Sequence, residues 1–211
     1  MDTERVINHL KRNGIIAGII LRNKGLVYDY AVKFSKDYPE KFIPGGVDIK
    51  KEDAKRKALG EAMEIYSSTL FKQLLPIKPD SKKIKDVHKF LQFKEGSYKD
   101  GFYSKFYSSK DIIWVRGKDM INKQDVLIPG FCIFLNYNRY HKRYYPNFSQ
   151  GLGNARNLKD SIAHGILENI EADASMIFWR NKLDLPLIKL STLDDNKVNL
   201  LIRALKKEKI K

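Results

Sequence analysis

A chain of 211 residues that is 43% hydrophobic is long enough to bury a sizeable core, which excludes an intrinsically disordered protein. Its 40 Lys and Arg against 25 Asp and Glu leave a net charge of +15, which suits polyanionic partners such as nucleotides, nucleic acid or acidic proteins but, with the lysines spread along the whole chain, reads better as a generally basic surface. A single cysteine excludes an intrachain disulfide, no apolar run approaches the roughly 18 residues of a membrane helix, and MDTERVINHLKRN lacks a signal-peptide pattern, so the expected compartment is the cytoplasm.

In chain order, Thr3 is placed to cap a short helix through Val6, Ile7 and Leu10, with Gly14 as its stop. Two strand-like runs, IIAGIIL and LVYDYAV, flank Arg22-Asn23-Lys24-Gly25, which reads as a hairpin with Gly25 at positive φ. Ile43-Pro44-Gly45-Gly46 then punctuates a loop. Asp48 can cap a helix that runs to about Leu75, with Ala54, Ala58, Leu59, Ala62, Met63 and Tyr66 as its core stripe and Pro76 and Pro79 beyond. PIKPDSKKIKD is a candidate exposed loop.

The next part is β-rich: VHKFLQF, FYSKFY, DIIWVRG and DVLIPGFCIFLNY are strand-like, with Asn122 to Asp125 as the turn between the last two. Cys132 falls in FCIFL and reads as a buried apolar thiol, and the Tyr and Trp residues of these strands read as core. YNRYHKRYYPNFSQG interleaves aromatics with Arg, Lys and His, a surface that could stack bases, hold a peptide or pack on the sheet. An amphipathic helix follows, started by Asn157 or Asp160 and carrying Ile162, Ile166, Leu167, Ile170 and Ala174 on one face. A last helix covers about Asp194 to Lys207. The order is α+β with a mixed, antiparallel-leaning sheet and packed helices.

Two of these helices carry carboxylate pairs at one spacing: Glu61 with Glu64, and Glu168 with Glu171, followed by Asp173. Residues three apart share a helix face, so each pair repels itself unless it is solvated or bridged by a cation. Four converging carboxylates suit Mg2+, which accepts a few carboxylates with waters and nucleotide phosphates. A solvated polar face is the alternative for either pair alone. Of the four histidines, His164 lies one turn before Glu168, so either a His-Glu site or a surface histidine fits; Gly45-Gly46 could cradle a phosphate but lacks the Lys-Ser/Thr of a P-loop and reads better as a turn.

GLGNARNLKDSIAHGILENIEADASMIFW resembles the YcaO-domain signature, a Ser-Asn-Gly-Leu-Ala-like turn leading into a helix with Glu-x-x-Glu-Arg-Asp. GEAMEIYSS after PGG is similar to that family's first motif, and IIWVRGKDMINKQDVLIPGFCIFLNY to its strand pair. The three blocks stand in the family's order over residues 43–190, closest to the azole-forming, SagD-like peptide cyclodehydratase branch. The resemblance implies a YcaO-like α+β fold, ATP and Mg2+ as cofactors, and Glu61, Glu64, Glu168 and Glu171 as the residues that hold Mg2+ and, through it, the nucleotide. It implies a reaction in which a Cys, Ser or Thr side chain of a ribosomally made precursor peptide attacks the preceding amide. ATP phosphorylates the amide oxygen, and loss of phosphate leaves the azoline of a thiazole- or oxazole-modified peptide, as in bacteriocin biosynthesis. The implied partners are that peptide, a leader-binding E1-like protein and a dehydrogenase.

The chain departs from the pattern at particular places. Ile65 and Ala172 stand where an arginine follows the second glutamate of each motif, Lys57 and Ala58 where a serine is expected, and SQGLGNA replaces the usual turn. Lys57, Arg116, Arg156 or Arg180 could replace the lost cations. The third nucleotide motif is not found before LLIRALKKEKIK, so the expectation is one partial domain over 1–211 with the C-terminal half missing. Three functions stay open: a cyclodehydratase component that needs a second chain, a degenerate non-catalytic homologue kept as a binding partner, and, from another class, a basic nucleic-acid-binding protein.

Overall fold

The computed structural model describes residues 2–35, 43–70, 112–137, 143–144, 146 and 148–207. They form two compact units: one of Met1–Glu64 with Gln150–Lys211, the other Ile65–Ser149.

The first unit opens with α1 (Thr3–Arg12), whose N-cap is Asp2 rather than Thr3. A carboxylate one residue earlier reaches the orphan N–H groups of Glu4 and Arg5 at 3.1 and 3.4 Å, so Thr3 is already helical. Gly14 ends the helix region at φ +67. Strands β1 (Ile16–Lys24) and β2 (Tyr28–Phe34) form the expected antiparallel hairpin, and β3 (Gly45–Asp48) pairs on the other side of β2. Gly25 does not take the expected positive φ. The strands continue to Lys24 and resume at Tyr28, so a three-residue loop and a register shift at Leu21/Asn23 turn the chain instead of a two-residue turn.

Gly45 and Gly46 are strand residues, not a turn or a phosphate cradle. A Cβ on Gly46 would collide with the Ala54 carbonyl oxygen and the Ala58 nitrogen, so its bare backbone lets helix α2 (Lys51–Ser67) lie directly on β3. The stripe expected of α2 is buried at Ala54, Ala58, Leu59 and Ala62, and Ile65 joins it. The helix ends at Ser67, not near Leu75. Ser68 and Thr69 turn their hydroxyls back onto the Ile65 and Tyr66 carbonyls at 2.6 and 2.7 Å, and Thr69 N–H bonds Tyr66 in a tighter i→i−3 pattern.

The second unit holds a two-stranded antiparallel sheet, β4 (Trp114–Lys118) and β5 (Asp125–Pro129), joined by the Asp119–Gln124 turn with Lys123 at φ 58. DVLIPGFCIFLNY is not one strand. Pro129 has no N–H to offer the ladder, and a 3-10 turn at Gly130–Cys132 follows. Cys132 is therefore exposed in that turn, not buried in a strand. Trp114, Ile112, Leu127, Phe131, Phe134, Tyr137 and Tyr144 make this unit's core. Tyr137 and Tyr144, from the aromatic-basic loop region, pack against Phe131 at ring-centroid distances of 5.9 and 5.5 Å. VHKFLQF, FYSKFY, PIKPDSKKIKD and the centre of the aromatic-basic loop lie outside the described residues.

Helix α3 (Leu158–Asn181) returns the chain to the first unit, capped by Asn157, which accepts from Asp160 N–H at 2.9 Å. It is not amphipathic. Ile166, Leu167, Ile170, Met176, Ile177, Phe178 and Trp179 are all exposed, and only Gly165 is buried. Ile162, Ile166 and Ile170 do share a face, but the later apolar residues run consecutively and spread around the helix. Helix α4 (Asn196–Lys207) closes the described chain, with Asp195 accepting from Lys197 and Val198 N–H. No helix among the described residues is long and apolar enough to cross a membrane.

Candidate functional site

The GLGN turn and helix α3 make one surface, because glycines remove what would separate them. Gly151 takes φ +89, and a Cβ on Gly165 would sit 2.5 Å from the Gly151 carbonyl oxygen. The turn is fastened at two points. Gly151 N–H donates to Glu168 Oε2 at 2.9 Å, and Asn154 Nδ2 donates to the Gly60 carbonyl of α2 at 2.7 Å.

Between these segments lies a cleft of about 310 Å³, lined by Glu64, Leu152, His164, Leu167, Glu168 and Glu171. On α3 its walls come from positions i, i+3, i+4 and i+7 counted from His164, the spacing that puts side chains on one helical face. Three of the four glutamates picked out by spacing therefore line one cleft. Glu61 does not line it; its Oε2 accepts from Gly45 N–H at 2.8 Å, which anchors α2 to β3.

Like charges meet in this cleft. Glu64 is held above the usual carboxylate range, first by burial, then by the charges of Glu168 and Glu61; the Asn154 N–H and His164 oppose this. A divalent cation would relieve both the burial penalty and the repulsion. Carboxylate oxygens are the ligand type that Mg2+ takes. Among the described residues no group of three or more His, Cys, Asp or Glu side chains stands close enough together to hold a metal ion by itself.

Of the expected replacement cations, Lys57 is committed elsewhere: its Nζ pairs with Asp48 at 2.8 Å and donates to the Val47 carbonyl at 3.0 Å. Arg116 stands on β4 in the other unit, Arg156 in the turn before α3, and Arg180 at the far end of α3. Two residues besides the glutamates belong to the site. His164 was legible, since it heads the stripe ending at Glu171. Asn154 was not, because its partner Gly60 lies 94 residues away.

A protein-family model described as YcaO cyclodehydratase, ATP- and Mg2+-binding, matches residues 45–211. No curated protein matches the chain by sequence. Among solved structures, YcaO from Methanopyrus kandleri bound with AMPPCP and Mg2+ superposes with a TM-score of 0.69 at 15% identity, over 99% of this chain and 52% of that one. A heterocyclase in complex with substrate and cofactor gives 0.78 at 18% identity, over 98% and 32%. The heterocyclase TruD gives 0.51 at 18%, over 76% and 26%. At these identities the likeness is one of fold, and the chain spans about half or less of the length of the structures it matches.

Proposed function

The chain belongs to the YcaO cyclodehydratase family, described as ATP- and Mg2+-binding, and from that premise we propose that it serves ATP- and Mg2+-dependent activation of a peptide backbone amide. The observation that carries this reading is the cleft in which Glu64, Glu168 and Glu171 face common space, with burial and the charges of Glu168 and Glu61 holding Glu64 above the usual carboxylate range. Glu64, Glu168 and Glu171 would hold Mg2+, with Glu61 adding its charge from the neighbouring turn of α2. The ion would neutralise the nucleotide phosphates when bound. The chain's own part is positioning: Gly151 N–H orients Glu168, and Asn154 fixes the turn to α2.

The finer reading is cyclodehydration of a ribosomally made precursor peptide to an azoline in the cytoplasm, on the way to a thiazole- or oxazole-modified, bacteriocin-like product. A second chain, a leader-binding E1-like protein and a dehydrogenase complete it. The heterocyclase that shares this fold is described with a bound substrate, which supports the peptide side of the proposal. A non-catalytic binding role is the second reading, favoured by Ile65 and Ala172 at the positions of the motif arginines.

Isothermal calorimetry of Mg2+-ATP against the wild-type chain and a Glu168→Gln/Glu171→Gln variant tests the site. Binding by the wild type that the variant loses is the expected result. A wild type that binds no nucleotide at saturating Mg2+ removes the catalytic reading for this chain. Salt-steep binding to random DNA or RNA that ignores both substitutions would replace it with nucleic-acid binding.

A further inference from the structure

Apolar surface gathers where α3 ends. Nine large apolar residues among the fifteen from Met176 to Leu190 are 40–94% exposed. Soluble monomers scatter such residues singly, whereas a contiguous run of them marks a surface that another polypeptide covers. Lys182, at φ 50, turns the chain out of the helix, and Leu183 N–H closes back onto the Phe178 carbonyl at 3.3 Å. Phe178, Trp179, Lys182 and Leu183 thereby wall a groove of about 420 Å³. Beyond it, LDLPLIKL places Leu183, Leu185 and Leu187 at every second position, the pattern of a strand with a face to bury. The segment belongs to neither described sheet, and no hydrogen bond joins the backbone of residues 184–188 to another described residue. Pro186 leaves one side of that backbone short of a donor, so pairing falls to Leu185 and Leu187 on the other side.

Two observations say what covers this face. The structures that share the fold carry about as much polypeptide again, or more, outside their match to this chain. Charge then argues against a second copy. Between residues 176 and 190 stand Arg180, Lys182 and Lys189 against Asp184, and each chain carries +15. Two copies would bring like charges together at the rim, and an acidic partner would meet opposite charge.

We propose that residues 176–190 are the docking surface for a second, acidic polypeptide that carries the part of the YcaO fold outside this chain's match. That partner seats an apolar side chain in the groove beside Trp179 and pairs a strand with Leu185 and Leu187. The inference rests on the reading that a second chain completes the site, and it does not require this chain to bind nucleotide by itself.

The test uses the full chain with a benzophenone amino acid at position 187. By itself the chain is expected to sediment as a monomer. In an extract of its source cells, light should couple it to one protein, identified by mass spectrometry as acidic and as carrying that part of the fold. Trp179→Asp/Leu185→Asp is expected to cut the yield of this product by about tenfold or more. Ile121→Asp, at an exposed apolar site in the other unit, should leave it unchanged. A thermal melt checks each variant, and Trp179→Ser serves if the double variant does not fold. A product of twice the chain's mass assigns the face to a second copy and overturns the proposal. So does the absence of a product, a partner without that part of the fold, or a yield that ignores the Trp179 and Leu185 substitutions. Calorimetry with Mg2+-ATP separates the two readings. A chain that binds nucleotide and captures nothing loses this inference alone, and one that captures its partner without binding nucleotide loses only the catalytic reading for the isolated chain.

Discussion

Glu168 accepts a hydrogen bond from the backbone N–H of Gly151 at 2.9 Å, although the two lie 17 residues apart and Gly151 precedes the helix that carries Glu168. The bond turns a flexible carboxylate into a fixed wall of the cleft. It depends on the turn lying flat against α3, where Gly153 and Gly165 leave no side chain between the two backbones. The position of a candidate metal ligand is thus set by residues with no side chain at all.

Gly153→Ala tests that dependence. Its Cβ would collide with the Ser161 carbonyl oxygen and come 3.0 Å from Gly165 N, both backbone atoms that cannot rotate away. Forcing the turn off the helix is expected to cost about 1–3 kcal/mol in a urea titration, the range for overpacking. Gly60→Ala is the control: the nearest atom to its Cβ is Asn154 Nδ2 at 4.0 Å. In the middle of α2 that exchange is expected to be neutral or to stabilise by up to about 1 kcal/mol. Equal effects of the two would mean the turn is not packed as described.

Glu64 gives a pH signature with an unusual sign. Its carboxyl is raised by burial and by Glu168 and Glu61, so the folded chain holds this proton more tightly than the unfolded one. The resulting stabilisation is fully present below the ordinary value of 4.5 and is lost as pH rises through the folded value. At neutral pH the charged group is therefore a burden. Glu64→Gln is expected to melt higher than wild type at pH 7 in metal-free buffer, and the advantage should vanish below pH 4.5. A lower melting temperature at pH 7 would count against the repulsion described here.

Asp48 runs the other way. The Lys57 ammonium at 2.8 Å, with help from Lys50 N–H at 3.0 Å, holds its carboxyl down at about 2. Its contribution is present above the ordinary 3.8 and is lost as pH falls through about 2. The Lys57 side chain is 58% exposed, so solvent screens the pair. Asp48→Asn is expected to cost about 1 kcal/mol at pH 7 after that discount, and only a small remnant of it near pH 2, by urea titration at both. An equal cost at both pH values would mean that Asp48 acts through its shape and its Lys50 bond alone.

What the sequence makes legible here follows the range of each interaction. The Glu61/Glu64 and Glu168/Glu171 spacings, the α2 stripe and the β1–β2 and β4–β5 pairings are local patterns, and each reads correctly as an element. Endpoints were less legible, since they turn on single competing bonds: Asp2 outbids Thr3 for the first N–H groups of α1, and Ser68 and Thr69 close α2 before Leu70. The cleft itself was half legible. Spacing put Glu168 and Glu171 on one face, but which α2 glutamate would join them depended on how β3 meets α2. Gly46 sets that contact, and Gly45 N–H takes Glu61.

Helix α3 is where local pattern misled most, and its two ends separate the reasons. Near its start the apolar spacing is real, yet Ile166 and Ile170 face outward because the cleft and Gly165 occupy the packed side. Near its end Met176 to Trp179 are consecutive, so no rotation could bury them all. The chain's two tryptophans report on this difference: Trp114 is 1% exposed in the second unit's core, and Trp179 is 75% exposed on α3. Acrylamide quenching is therefore expected to resolve a protected and an accessible component. Trp179→Phe should delete the accessible one, blue-shift the remaining emission and leave the urea midpoint nearly unchanged, within about 0.5 kcal/mol for an exposed site. A Trp179 that resists quenching in the free chain, or a larger loss of stability in the variant, would show that this end of α3 is covered in solution.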